Sequence, residues 1–279
     1  MSIQLLPANA RRDMNSYIVN VTPELAREWL DLARFNRDIN YAVVAQYVRL
    51  IKDGLWRLTH QGVALTKAGV LIDGQHRLLA IIKAGKTVPM TVCVDEPEEN
   101  FEFIDCGRNR SHLEMMRLSQ RNNALTSLHT STLKAFLAGR FCNTTNWSVA
   151  EINREYEQYS LPINFIVDLF QGEKDRKVND PTVRGFLARA YYSIAHDRII
   201  EFVNKLFRDN GDSTDPVSHF VRCLRVWDDR RQNTRCEIYK RGVQTFLAFL
   251  QDRNDAGNIN VSYDVFPIPK SEISQTETR

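Results

Sequence analysis

Cysteine is sparse and unpatterned in this chain. The five cysteines, at positions 93, 106, 142, 223 and 236, include no CxxC pair and no even framework. That spacing argues against a zinc scaffold and against a disulfide framework, and it fits a reducing compartment. Charge of one sign is also missing. Lys and Arg number 37 against 34 Asp and Glu, a net charge of +3, which by itself is too small to imply a nucleic-acid partner. No apolar run approaches the roughly 20 residues that cross a bilayer, and the first residues lack a basic region followed by an apolar core. The expectation is an untargeted, cytoplasmic protein with no membrane partner. Internal repeats are absent too.

What is present is core-forming material. With 43% hydrophobic and 25% charged residues over 279 positions, the chain can form one large domain or two ordinary ones. The first part mixes short β-rich runs with helices. Ser16 to Val21 reads as a short strand. Thr22 caps a helix with Pro23 in its first turn, running through Leu25, Trp29 and Leu32. Asn36-Arg37-Asp38-Ile39-Asn40 interrupts it, and a second helix follows from Tyr41 to Lys52, ending at Gly54. Gly62 to Thr66 and Val70 to Asp73 form a hairpin around Lys67-Ala68-Gly69. Thr87 to Val94 is a strand in which Pro89 signals an edge or an irregular start. Phe101 to Asp105 is a further strand candidate, leading through the basic turn Cys106 to Ser111 into a helix near His112.

Beyond Asn122 strand-like alternation is lost. Helical segments are expected at 125–140, 148–159, 162–171, 181–196, 198–208, 216–229 and 235–251, with Ser148 and Glu151 forming a capping box and Asp180-Pro181 and Asp215-Pro216 opening helices. The fold class is therefore α+β: an N-terminal mixed domain over 1–120, an all-helical domain over 121–255, and a flexible tail over 256–279 with one added strand at Asn260 to Val265.

Chemistry concentrates at Val70 to Ile82. Val70, Leu71 and Ile72 suit a buried strand, Gly74 permits a tight turn, and Leu78, Leu79 and Ile82 form one face of a helix that Gly85 can end. A helix starting directly after a strand aims unpaired N–H groups at whatever lies over the turn, so Gly74, Gln75, His76 and Arg77 surround an anion position. Asp73 is either a helix cap or a metal-binding or general-base group. In the second case the carboxylate and an anion need a cation between them, which implies Mg2+. His76 and Arg77 lie where cations oppose the helix dipole, and a bound polyphosphate would compensate. Arg37, Arg108 and Arg110 are loop residues able to reach such a site. Trp29, Tyr47, Trp56 and Phe103 read as core. Arg222, Arg225, Arg230, Arg231, Arg235, Lys240 and Arg241 are diluted by Asp228, Asp229 and Glu237, and read as a solvated face before a DNA patch.

Asp73-Gly74-Gln75-His76-Arg77-Leu78, preceded by a hairpin and by a helix ending Lys52-Asp53-Gly54-Leu55-Trp56, resembles the DGQHR type of ParB/sulfiredoxin-like domain. The break at Asn36-Arg37 resembles the Asn/Gln-Pro-Arg box of ParB proteins. This resemblance covers about residues 15 to 118. It implies a nucleotide, ATP or CTP, with its phosphates over the helix that starts at Gly74. Members of that superfamily hydrolyse CTP in partition, use ATP to repair an oxidised cysteine, phosphorylate free serine from ADP, or act as nucleases. Sulfiredoxin chemistry needs a cysteine immediately before the His-Arg pair, where this chain has Gln75. The resemblance implies Asp73 and His76 as catalytic residues, Asp73 as the Mg2+ ligand, and Arg37, Gly74, Gln75, His76, Arg77, Arg108 and Arg110 as nucleotide contacts. The expected function is Mg2+-dependent phosphoryl transfer or NTP hydrolysis in a DNA-linked setting such as a phage or mobile element. A DNA-binding protein or nuclease and an interaction protein with an inactive site are the competing readings, and a homo-oligomer is a further partner.

Overall fold

The computed structural model describes residues 15–33, 38–98, 100, 111–120, 122, 124–143, 145–208, 214–227, 232–257 and 259–269. The strand expected at Phe101 to Asp105 and the turn residues 106–110 lie outside them. Packing divides the chain into two units, Met1–Asn109 with Asn146–Glu151, and Arg110–Thr145 with Ile152–Arg279. No helix among the described residues is long and apolar enough to cross a membrane.

The first unit is α+β. Its four-stranded sheet has the order β1-β4-β2-β3, where β1 is Asn15–Val21, β2 Val63–Leu65, β3 Leu71–Asp73 and β4 Val88–Val94. β1 runs antiparallel to β4 and β2 parallel to it, with Val63 opposite Val92. β2 and β3 form the expected hairpin, closed by Thr66 N–H to the Val70 carbonyl at 2.9 Å. Pro89 is not on an edge strand, because β4 is interior. It is tolerated there because β2 reaches only Val92 and Cys93, so the proline faces a partner on the β1 side alone.

Three helices cover this sheet: α1 (Pro23–Asp31), α2 (Tyr41–Lys52) and α3 (Gln75–Ala84). Thr22 caps α1 through its hydroxyl, which accepts from Leu25 N–H at 3.2 Å, and the Asn40 side chain caps α2. Their apolar faces meet alternate residues of β4 in one core containing Val44, Ile51, Leu78, Ile81, Val88, Met90 and Val92. Trp29, Tyr47 and Trp56 pack against that core as expected. The Ser148–Glu151 capping box is also formed, with each backbone N–H donating to the other side chain. Glu151 is buried; desolvation raises its pKa, but Arg49, at 2.7 Å, and the Ser148 N–H outweigh this and hold it below the usual carboxylate range.

The second unit is helical: α4 (His112–Gln120), α5 (Ser127–Ala138), α6 (Val149–Phe170, of which this unit holds Ile152 onward), α7 (Pro181–Ala190), α8 (His196–Phe207), α9 (Pro216–Val226) and α10 (Gln232–Leu250). The two helices expected on either side of Pro162 meet at a kink inside α6, where Tyr159, the expected end of the first, leaves helical geometry (φ −116°, ψ 21°). Proline removes one hydrogen bond and bends the helix, yet buried Ile152, Ile163, Ile166 and Val167 keep a continuous apolar face.

α7 is buried from Thr182 to Ala190. Its two arginines carry charge into the core, and each is met by oxygens. Arg184 donates to Thr132 Oγ1 and Ser131 Oγ, both at 2.8 Å, and to the carbonyl and side chain of Asn179. Burial lowers Arg184 to about 10, with the Asp180 carboxylate pulling it upward. Arg189 donates to the carbonyls of Phe136 at 2.7 Å and Phe266 at 2.9 Å, and pairs with Asp264. Residues 259–269 are thus fastened to α7, with Phe266 buried, whereas the sequence suggests a flexible tail. The strand expected at Asn260 to Val265 does not form. Within it, Arg140 takes the Ser262 carbonyl that a neighbouring strand would need.

His129 stands at the third position of α5, where Nδ1 accepts from Thr126 N–H at 3.0 Å. Burial holds its pKa below the ordinary histidine value, against the pull of Asp168. A depressed histidine pKa means the unfolded chain takes up a proton that the folded chain refuses. Stability is therefore complete above about pH 6.5, the unfolded value, and falls as pH drops from there through the lowered folded value. Urea midpoints measured between pH 7.5 and 5 should show this loss, and His129→Gln should flatten it. Arg189→Met should cost about 2–4 kcal/mol by urea unfolding, since it strands two buried carbonyls and Asp264, and should expose residues 252–269 to limited proteolysis.

Candidate functional site

The expected strand, turn and helix at Val70 to Ile82 is present. Val70, Leu71 and Ile72 are buried, and α3 starts at Gln75 immediately after Gly74. Gly74 has φ +108° and ψ 1°, a backbone conformation that favours glycine. Space enforces the same choice. A Cβ there would lie 2.8 Å from Val63 Cγ2 and 3.1 Å from Val63 Cα. The preceding strand is held as tightly, since a Cβ on Gly62 would stand 1.7 Å from the Thr91 carbonyl oxygen.

Gly74, and not Asp73, is the capping residue of α3, and it makes no side-chain cap. Asp73 Oδ1 accepts from the adjacent Gly74 N–H at 2.6 Å. Its other oxygen, Oδ2, meets Arg77 Nη1 at 3.4 Å, a long contact between side chains that are 26% and 14% exposed. Arg77 Nη1 also donates to the Gly62 carbonyl at 3.1 Å, and the guanidinium carbon lies 5.9 Å from the centroid of the Tyr47 ring. Tyr47 in turn meets Trp56 edge-on at 6.0 Å. A cation in the first turn of a helix is disfavoured, and here the protein supplies part of the compensation itself, through one carboxylate, one carbonyl and one aromatic face.

His76 faces elsewhere. It is buried, and its Nε2 accepts from Asn40 N–H at 2.9 Å, which fastens the start of α2 to the start of α3. The hydrogen bond requires that nitrogen to be unprotonated. Gln75 is half-buried, and its Oε1 is buried without a hydrogen-bond partner among the described residues. Such an orphaned acceptor costs about 1–3 kcal/mol unless something donates to it. Asp73, Gly74 and Arg77 are therefore brought together with Gly62, Gln75 Oε1 is bonded to none of them, His76 bonds to Asn40, and Arg37, Arg108 and Arg110 lie outside the described residues.

Gly62 and Tyr47 are site neighbours that sequence reasoning missed. Gly62 reads only as the start of a strand, and nothing local marks its carbonyl as the acceptor for Arg77. Among the described residues no group of three or more His, Cys, Asp or Glu side chains could hold a metal ion. The basic residues of α9 and α10 are partly neutralised, Arg225 by Asp175 at 3.1 Å and Arg241 by Glu237 at 2.7 Å. Arg230 and Arg231 lie outside the described residues.

Compared with protein-family models, with curated proteins and with solved structures, the chain matches none. Gly74→Ala tests the geometry of the turn directly. Backbone strain alone should cost about 1–3 kcal/mol, and the contact with Val63 adds to it, so urea unfolding should give a lower midpoint with an unchanged slope.

Proposed function

We propose that the first unit binds a nucleotide, ATP or CTP, with its phosphates over the start of α3, and that with Mg2+ it carries out phosphoryl transfer or NTP hydrolysis. The observation that carries this reading is the incomplete turn itself. The Asp73–Arg77 pair at the amino end of α3 is long, and Gln75, the first residue of that helix, keeps a buried Oε1 without a partner among the described residues. A phosphate oxygen would take the Arg77 guanidinium in a stronger charge-assisted bond than Asp73 gives it at 3.4 Å. The first-turn N–H groups of α3 point to the same place. The resemblance of Asp73 to Leu78 to DGQHR-type ParB/sulfiredoxin-like domains supports the reading, and the DNA-linked setting rests on that resemblance alone.

The residues fit Mg2+ in one specific way. Mg2+ commonly keeps several waters and uses one or two carboxylates together with substrate phosphates, so the lack of a three-residue cluster among the described residues is compatible with it. Asp73 Oδ2 would hold the ion once Arg77 turns to phosphate, and Gln75 Oε1 would accept from an ion-bound water. When bound, the ion supplies charge neutralisation at the phosphate oxygens. The chain's own groups do the rest: Arg77 orients phosphate, Gly74 lets the backbone come close, and His76 positions the helix by holding Asn40 N–H.

Isothermal calorimetry with ATP and CTP, each with and without Mg2+, tests the proposal. Wild-type protein should bind one of them in a Mg2+-dependent manner, Arg77→Ala should weaken binding at least tenfold, about 1.4 kcal/mol, and Asp73→Asn should abolish the Mg2+ dependence. Absence of binding by wild-type protein to both nucleotides overturns it. Arg77→Lys, which keeps the charge but loses the planar fork, guards against a folding defect in the alanine variant.

A further inference from the structure

Two thiols far apart in sequence meet in the second unit. Cys142 Sγ donates to the Gly139 carbonyl at 3.4 Å and Cys236 Sγ to the Phe141 carbonyl at 3.5 Å, so both sulfurs hang on the carbonyls of one 3-10 turn, Gly139–Phe141. α10, which carries Cys236, packs on that turn. The two side chains interact directly. Burial pushes the Cys142 thiol up to about 12, Cys236 adds to the rise by charge and by hydrogen bonding, and Arg235 draws it back.

Their access differs. Cys142 is buried, whereas Cys236 is half-buried and lines a cavity of about 690 Å³ with Arg140, Tyr239, Lys240 and Ser262. A small solute in that cavity meets Cys236, whereas Cys142 is not part of its wall. Susceptibility of thiols to oxidation follows thiolate character and access, so the more accessible Cys236 is the first to react and the raised Cys142 thiol the one that resolves it, which makes the product reversible.

We propose that Cys142 and Cys236 form a reversible oxidation site at which a hydroperoxide converts the two thiols into a disulfide. The Cys236 sulfur, having given its proton to solvent, attacks the peroxide oxygen. The O–O bond breaks, the leaving alkoxide or hydroxide takes up a proton, and Cys236 becomes a sulfenic acid. The Cys142 sulfur then attacks the Cys236 sulfur, the S–O bond breaks, and the departing hydroxide takes the Cys142 proton as water. Two thiols and one hydroperoxide thus give one disulfide, one alcohol (water when the oxidant is hydrogen peroxide) and one water. The bond would tie α10 to the turn that follows α5 and draw the Cys236 sulfur off the cavity wall.

The test is peptide mapping of the full chain after hydrogen peroxide treatment and alkylation of the remaining thiols, under non-reducing conditions. Cys142 and Cys236 should lose alkylation together and appear in one linked peptide that dithiothreitol separates. In Cys142→Ser the oxidation should stop at a Cys236 sulfenic acid that dimedone captures, and in Cys236→Ser the Cys142 thiol should survive. The proposal is overturned if wild-type protein oxidises at Cys93 or Cys223 while this pair stays reduced. It is equally overturned if Cys236 advances to sulfinic acid with Cys142 intact. The wild-type map decides by itself should either variant fail to fold.

Discussion

The candidate site depends on how closely one stretch of backbone approaches another at Gly74. The turn between β3 and α3 lies against Val63 at a distance that leaves no room for a side chain, and Gly62 lies equally close to β4 at Thr91. Two positions without Cβ atoms therefore stack β4, the lead into β2 and the start of α3. Through that stack the Gly62 carbonyl comes within reach of Arg77. The guanidinium is therefore shared between a backbone carbonyl and the Asp73 carboxylate, both through the same Nη1.

Local chemistry made much of this legible. Capping residues and glycine stops read correctly because they act within a few residues: Thr22 and Pro23 open α1, Tyr41 and Lys52 bound α2, Lys67-Ala68-Gly69 closes the hairpin, and Gly85 ends α3 in a left-handed conformation. What stayed hidden were partners set by tertiary packing. His76, expected among the phosphate and catalytic groups, accepts a hydrogen bond from the Asn40 backbone N–H, 36 positions earlier. Residue type and spacing do not encode such a pairing. Asp73 posed a choice between cap and metal ligand; Gly74 takes the capping position, which leaves the carboxylate tied to its neighbour's N–H and to Arg77. The interruption between Tyr159 and Pro162 is legible for a local reason, since a proline that lacks its N–H bends the chain where Tyr159 leaves helical geometry.

In the second unit the same limit shows in a different residue type. The helix Pro-Thr-Val-Arg-Gly-Phe-Leu-Ala-Arg-Ala carries two arginines, yet α7 is buried from Thr182 to Ala190. Its arginines are tolerated because carbonyls, hydroxyls and Asp264 surround them. Buried charge of this kind adds little net stability compared with apolar packing, but it penalises every arrangement that leaves a guanidinium unpaired. The C-terminal segment through Phe266 is drawn in for that reason, although its composition is that of a solvated tail.

The order of strands in the first sheet bears on how the chain reaches this state. β2, its turn and β3 close within a few residues, and α3 follows at once, so the stretch carrying the candidate site pays little loop entropy. β1 is different. It pairs only with β4, and its first residue, Asn15, bonds to Asp95 across 80 positions of sequence. Non-local pairing of that kind is the slow, entropically costly part of assembling a sheet. The turn at Gly74 thus belongs to the most locally determined part of the unit, while the strand that opens the described chain is the part whose seating requires everything between it and β4 to be in place.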